Sequence, residues 1–261
     1  MTDEADETDD GGWSALAEGW AARWGGVSAP ARGALITACA IGPDTRMLDI
    51  GCGSGEFLGE LGALGARAIG VDSSPGMVAL AARHGDAREA DAAALPFGDD
   101  SFDVVTAVTV LHLTDDLDAA VLECARVLRP GGLLGVAEWG DTGRNDLAVI
   151  ERALEAALDP DAGEADTHAG ATGTQAGPLH PTPLDLALDA AGFRRVSHGE
   201  VEVRVRAADA QELAATVLLG EDEATIGELS AVVAAAAEPF REPDGGYEVR
   251  GTFRWRVLSW S

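Results

Sequence analysis

The stretch Met-Leu-Asp-Ile-Gly-Cys-Gly-Ser-Gly-Glu-Phe, residues 47–57, decides how this sequence is interpreted. A short apolar run contains an acid next to its end, and three glycines then stand at every second position before a helical pattern begins. This order is typical of a loop that holds a nucleotide-containing cofactor in an α/β sheet, because glycine lets the backbone approach a ligand closely.

The spacing of the glycines distinguishes this loop from two common types. In a dinucleotide-binding loop the third glycine comes three residues after the second, where this sequence has Glu56. A P-loop ends in Gly-Lys-Ser or Gly-Lys-Thr, which does not occur here. Asp49 and Glu56 flank the turn and would repel a phosphate but attract a cation. The loop therefore favours a phosphate-free cationic ligand such as S-adenosylmethionine, which has a sulfonium and an ammonium group.

The composition indicates a globular protein with an acidic surface. The 261 residues fit one α/β domain, and no apolar run reaches the ~18 residues of a membrane span. The net charge is -27, and arginine is the only strong base because the sequence contains no lysine. Such a surface repels nucleic acids and anionic membranes, so we expect neither as a partner. A salt-rich cytoplasm or a GC-rich genome would explain the acidity equally well.

The cysteines and the first residues bear on the cellular compartment. Cys39, Cys52 and Cys124 lie in apolar surroundings without a Cys-x-x-Cys pair, which favours buried thiols in a reducing cytoplasm over disulfides or a metal site. The first residues are acidic and lack the apolar core of a signal peptide. We expect a disordered acidic tail over residues 1–12, no bound metal and a cytoplasmic location.

Short apolar strands alternate with helical patterns on both sides of the glycine loop. This alternation predicts an α/β fold with a doubly wound, mostly parallel seven-stranded sheet and helices on both faces. The predicted strands are 46–50, 66–71, 87–91, 102–108, 133–138, a strand or hairpin at 193–205, and an antiparallel last strand at 247–258. A single domain would cover 13–261, with N-terminal helices at 13–41 as a lid and a variable substrate-side insertion at 141–183 as a cap.

Two local signals set boundaries within this pattern. Ser28 is predicted to cap a helix that runs to about residue 40, with Pro30 in its first turn. The segment Arg-Pro-Gly-Gly at 129–132 is predicted to end a helix over 115–128 before the fifth strand begins.

Three acids stand at the carboxyl ends of predicted strands. Asp49 lies just inside the end of the first strand, and Asp72 and Asp91 stand at the ends of the second and third. Ligands of parallel α/β sheets bind beyond this edge, so we expect the three side chains to face one site.

Taken together, these features resemble the class I S-adenosylmethionine-dependent methyltransferases of the small-molecule type. The resemblance covers roughly residues 28–138. It is carried by the glycine loop, Asp72, Asp91-Ala92, Phe102-Asp-Val-Val followed by Leu111-His112, and Arg129-Pro-Gly-Gly132.

The resemblance implies a set of cofactor contacts. They are Asp49, Gly51, Cys52, Gly53, Gly55, Asp72, Ser73, Met77, Asp91, Ala92, Ala107 and Val108. Asp72 would accept hydrogen bonds from the ribose hydroxyls, and Asp91 and the Ala92 amide would contact adenine. Two plainer interpretations stay open: Asp72 as a cap of the helix that starts at Pro75, and Asp91 as a solvated loop acid.

Residues on the substrate side are harder to assign. His112 follows the fourth strand and is the candidate general base, although it could also orient the substrate or be structural. His168 and His180 lie in the variable insertion, and Glu138 and Asp141 follow the fifth strand and could face the substrate.

The tryptophans of the first helix allow two interpretations. Trp13, Trp20 and Trp24 share one helical face. They could close over the cofactor, whose sulfonium an aromatic ring would favour, or they could dock the helix on the core.

The expected reaction is transfer of a methyl group to O, N or C of a small molecule, with S-adenosylhomocysteine as the product. A protein of this fold could instead catalyse a non-methylation reaction such as a cyclisation. A nicotinamide-dependent oxidoreductase is disfavoured by Glu56 and by Asp49. The methyl acceptor and the choice between monomer and homodimer are not readable from the sequence.

Overall fold

A seven-stranded sheet forms the centre of the computed structural model, which describes residues 12–158 and 181–261. The strand order is β3-β2-β1-β4-β5-β7-β6. The strands are β1 Arg46–Ile50, β2 Arg67–Asp72, β3 Asp86–Glu89, β4 Phe102–Val108, β5 Leu128–Trp139, β6 Arg194–Ala207 and β7 Tyr247–Ser259. The acidic tail predicted for 1–12, except Gly12, and the histidines at 168 and 180 lie outside the described residues.

The strand directions confirm the predicted fold class. Strands β1 to β5 pair in parallel, while β7 runs antiparallel to both β5 and β6. The central strands β1 and β4 consist mainly of apolar residues because helices cover both of their faces. This arrangement is the Rossmann-like fold with one antiparallel strand that the alternation of strands and helices predicts.

Helices cover both faces of this sheet in the described ranges. They are α1 Trp13–Arg23, α2 Ala29–Ala38, α3 Glu56–Ala63, α4 Pro75–Ala81, α5 Leu117–Val127, α6 Leu147–Leu158, α7 Pro183–Ala190, α8 Ala210–Val217 and α9 Glu223–Ala237. One core lies on the side of Met47 and Leu35, and a second lies on the side of Leu48 and Val105, because successive strand residues face opposite sides. No helix in this part of the chain combines the length and apolarity that crossing a membrane requires.

The prediction that Arg129–Gly132 lies before the fifth strand was wrong. The segment belongs to β5, and the register against β4 shifts between Phe102 and Val104 to accommodate it. Gly131 has φ +77°, and its N–H donates to the carbonyl of Trp260 at 2.8 Å. The predicted strand or hairpin after residue 193 is the single long strand β6.

Ser28 is the N-cap residue of α2 and Pro30 lies in its first turn, as predicted. The Ser28 side chain makes no capping hydrogen bond and instead accepts one from Arg32 Nη1 at 2.6 Å. The same guanidinium forms an ion pair with Glu60 of α3 at 2.7 Å and donates to the carbonyl of Gly25 at 2.9 Å. Arg32 therefore ties the start of α2 to the helix that follows the glycine loop.

A buried ion-pair cluster fixes α7 to the sheet. Arg256 of β7 contacts Glu138 of β5 at 2.7 Å and Asp185 of α7 at 2.6 Å. The Arg256 and Glu138 side chains are only 11% and 7% exposed. Burial raises the pKa of Glu138, and the guanidinium opposes this shift.

Candidate functional site

The glycine loop (residues 51–55) turns sharply between β1 and α3. Gly51, Gly53 and Gly55 have φ values of +62°, +53° and +93°, a region that side-chain-bearing residues seldom adopt. A Cβ at Gly51 would collide with Val110, and one at Gly55 would lie 2.5 Å from the Cα of Ala81. These two glycines are required by packing as well as by the turn.

Gly53 differs because its side-chain position is open. Apart from its chain neighbours, the only heavy atom of the described residues within 4 Å of a Cβ built there is Nε1 of Trp20, at 3.7 Å. This open side faces a cavity of about 660 Å³, a size typical of small-molecule sites.

Asp72 holds the glycine loop at the end of β2. Its Oδ2 accepts from the Gly53 N–H at 2.9 Å, and its Oδ1 accepts from the Ser74 N–H at 3.0 Å. The helix cap before Pro75 is made by Ser74, whose hydroxyl accepts from Met77 N–H. Because each carboxylate oxygen has two lone pairs, the position still suits contact with ribose hydroxyls.

Asp49 is buried behind the loop. Its side chain accepts a hydrogen bond from the Thr106 hydroxyl at 2.7 Å, and the residue is 3% exposed. Burial raises the pKa of this carboxyl to about 7, although the Thr106 hydrogen bond and the positive charge of Arg32 oppose the shift. A cation bound in the cavity would favour the ionised form of Asp49.

Most of the predicted cofactor contacts meet at this cavity. Its wall includes Asp49, Gly51, Cys52, Gly53, Asp72, Ser73, Met77, Asp91, Ala92 and Val108. Asp91 lies just beyond β3, where its Oδ1 accepts from Ala93 N–H at 2.8 Å. Gly55 and Ala107 are not on the wall, because Gly55 packs on Ala81 and Ala107 points into the core between the sheet and α5.

The wall of the cavity is strongly acidic. Its carboxylates belong to Asp49, Glu56, Asp72, Glu89, Asp91, Asp115 and Asp116. Arg32 also lines the cavity, but its guanidinium already donates hydrogen bonds to Glu60, Gly25 and Ser28. Electrostatics here fit a ligand with positive charge and oppose one with phosphates.

The tryptophans of α1 lie in two environments, the core and the wall of the cavity, and closure over the cofactor stays a prediction. Trp24 is 6% exposed and donates from Nε1 to the carbonyl of Thr216, so it anchors the helix in the core, although it also borders the cavity. Trp13 and Trp20 are less buried and line the cavity. Trp20 contacts Trp13 edge-on at 5.3 Å and stacks on Trp24 at 6.0 Å.

His112, the candidate base, lies on the short turn Leu111–Leu113 and is not on the cavity wall. Its Nδ1 is buried and has no hydrogen-bond partner in the described part of the chain. Burial lowers the pKa of the imidazole, so the ring is neutral at neutral pH. A role as general base stays a prediction, as do substrate contacts by Glu138 and Asp141, which are also absent from the wall.

The contribution of the segment after β4 to the cavity wall was not predicted. Thr109 has φ +55°, which is rare for a residue branched at Cβ, and it lines the cavity together with Val110, Leu113 and Thr114. The Thr109 N–H donates to the carbonyl of Ala137 at 2.8 Å. Such strain often marks functional sites, but the sequence carries no signal for it.

Comparison with known proteins agrees with this site. Residues 48–136 match a family model described as a methyltransferase domain. A demethylmenaquinone methyltransferase of Mycolicibacterium paratuberculosis is 43% identical over 109 residues, which are 41% of this chain and 47% of that protein. A malonyl-[acyl-carrier protein] O-methyltransferase of Methylococcus capsulatus is 35% identical over 121 residues, or 43% and 44% of the two chains.

The structure also resembles that of the [4+2]-cyclase SpnF. The TM-score is 0.58 at 20% identity, over 91% of this chain and 82% of that one, so the likeness concerns the fold. The matching segment spans less than half the length of the two curated relatives described above. Family match and fold confirm the resemblance to class I S-adenosylmethionine-dependent methyltransferases that the motifs predict.

Proposed function

We propose that this chain, of which residues 48–136 match a methyltransferase domain, moves the methyl group of S-adenosylmethionine to O, N or C of a small molecule. The observation that carries the proposal is the open side of Gly53, which borders a cavity lined by Asp49, Asp72 and Asp91. We place the activity in the cytoplasm, in keeping with three free, buried cysteines in the described residues.

The residues of the wall fit the parts of the cofactor. Asp72 would accept from the ribose hydroxyls while it holds the loop, and Asp91 would accept from the adenine amine. Asp49 would stabilise the positive charge from beneath the loop. The acidic wall and the glycine at 53 suit a cationic ligand that lies close to the backbone.

Alignment of the cofactor and the methyl acceptor would provide most of the rate acceleration in this site. When bound, the cofactor supplies a methyl group that its sulfonium has already activated. The wall would hold the acceptor atom in line with this methyl group, so that methyl transfer would leave S-adenosylhomocysteine and an O–H or N–H acceptor would release its proton. Trp13 and Trp20 would exclude water, and alignment by the wall would lower the barrier.

A second candidate is a non-methylation reaction, such as a cyclisation, in the same cavity. One observation keeps it open: His112, the candidate base, is not on the cavity wall. A cyclisation need not consume the cofactor, whereas methyl transfer must.

Two measurements test the proposal. Calorimetry should detect binding of S-adenosylhomocysteine but not of NAD, and the reverse would refute it. Incubation with methyl-labelled S-adenosylmethionine and a panel of phenols, amines, acids and activated carbon nucleophiles should label a product. A converted substrate without label would support the cyclisation instead.

A further inference from the structure

The indole N–H of Trp20 faces the open side of the glycine loop. Its Nε1 lies 3.7 Å from the position of a Cβ at Gly53, and both residues line the cavity. A ligand that passes over Gly53 therefore passes beside this N–H group.

This N–H has no protein acceptor within residues 12–158 and 181–261. The neighbouring indole of Trp24 donates to the carbonyl of Thr216 at 3.0 Å, but the Trp20 indole donates to no protein atom there. An indole N–H is a donor only, so it can serve a ligand atom that accepts and cannot serve an ammonium.

The Trp20 ring is held in place before any ligand binds. It lies between Trp13, edge-on at 5.3 Å, and Trp24, stacked at 6.0 Å. At the start of the same helix, the Ser14 hydroxyl accepts from the Gly76 N–H at 2.9 Å and bonds the Ser74 hydroxyl at 3.0 Å. Helix α1 is thus fastened to α4 near one end and to α8 through Trp24.

We infer that the Trp20 N–H donates a hydrogen bond to the carboxylate of the methionine part of the cofactor, which makes α1 a binding element as well as a cover. A cofactor carboxylate that binds among these acidic side chains needs a hydrogen-bond donor that is not already bonded to a protein carboxylate. Arg32, the one cation on the described wall, is engaged by Glu60. The inference rests on the proposed function, because it names the cofactor part that the Trp20 N–H recognises.

Substituting phenylalanine for Trp20 keeps an aromatic ring and removes the donor. The two probes are S-adenosylhomocysteine, which has the carboxylate but no sulfonium, and 5′-methylthioadenosine, which lacks the amino-acid part. Trp20→Phe should weaken binding of S-adenosylhomocysteine about tenfold or more, the effect of losing one hydrogen bond to a charged group. Its binding of 5′-methylthioadenosine should change less than about twofold.

Trp260→Phe is the matched control, because Trp260 is also a partly buried tryptophan, but it packs on Phe193 and does not line the cavity. It should leave the ratio of the two affinities as in the wild type. Equal weakening of both probes in Trp20→Phe would mean that the ring only packs, and no weakening of either would mean that another donor holds the carboxylate. Both results overturn the inference.

Nuclear magnetic resonance of the wild-type protein gives a test that does not depend on the folding of a variant. The Trp20 indole proton should shift downfield with S-adenosylhomocysteine and much less with 5′-methylthioadenosine. Equal shifts with both ligands would overturn the inference. If the wild-type protein bound neither ligand, the proposed function itself would fail, and that outcome is distinct from the others.

Discussion

Alanine at position 53 should separate cofactor binding from folding. Gly53 has φ +53°, and a Cβ there would make one ordinary contact, 3.7 Å from Nε1 of Trp20. The cost to folding is therefore the left-handed backbone alone, about 1–2 kcal/mol for a residue with a side chain. For a chain of this size the thermal midpoint should fall by roughly 2–8 °C.

The effect on the cofactor should be larger than the loss of stability suggests. The new methyl group would occupy the open side of the loop, where the methionine part of the cofactor is proposed to lie. Overpacking by one methyl group costs about 1–3 kcal/mol in a closely packed site. Affinity for S-adenosylhomocysteine should therefore fall roughly 5- to 150-fold.

Gly131→Ala is the matched control for this experiment. Gly131 also has a left-handed backbone, with φ +77°, and apart from its chain neighbours a Cβ there would meet no atom of residues 12–158 and 181–261 within 4 Å. It lies near the start of β5, away from the cavity. Calorimetric titration and thermal unfolding of both variants give the comparison. Equal affinities of Gly53→Ala and Gly131→Ala for S-adenosylhomocysteine would show that the cofactor does not lie over Gly53.

Three further substitutions test other parts of the structure. Gly55→Ala should lose about 2–5 kcal/mol of unfolding free energy, measured in urea, because its Cβ would lie 2.5 Å from the Cα of Ala81 at φ +93°. Asp49 has a pKa of about 7 when folded and an ordinary value of 3.8, so the folded state binds more protons between these values. The free energy of unfolding of the ligand-free wild type should therefore fall by up to about 4 kcal/mol from pH 4 to 7, and Asp49→Asn should remove this loss. If the stability of both proteins fell equally with pH, Asp49 would not be the titrating group. Arg256→Met should destabilise the fold by about 3–5 kcal/mol at neutral pH, because it removes the ion-pair partner of the buried Glu138; an unchanged thermal midpoint would refute this role.

The sheet was predictable because its signals are local. Apolar runs, glycines and the acids Asp49 and Asp72 can each be read within a few residues of sequence. The true start of β5 could not be predicted in this way. In this segment the N–H of Gly131 donates to the carbonyl of Trp260, a residue distant in sequence. Without knowledge of such a hydrogen-bond partner, prolines and glycines in a sequence are interpreted as the end of a helix or strand.

The candidate site was predictable on its cofactor side and less so elsewhere. Strand-end acids mark the cavity because every parallel strand ends at the same edge. Helix α1 was ambiguous, because an apolar face has the same spacing whether it meets the core or a ligand. The structure separates these residues: Trp24 is buried in the core, and Nε1 of Trp20 lies 3.7 Å from a Cβ built at Gly53. The position of His112 depends on a turn that carries no distinct pattern.

The position of β7 in the sheet constrains how the chain can be synthesised and shortened. β6 precedes β7 in sequence, yet its strand neighbour in the described sheet is β7, which separates it from β5. During translation, β6 therefore has no native strand partner until residues 247–259 have left the ribosome. Its fourteen residues stay unpaired over that interval, when an exposed strand is prone to aggregate. Removing β7 would cost the sheet two strands, since β6 would lose its attachment as well.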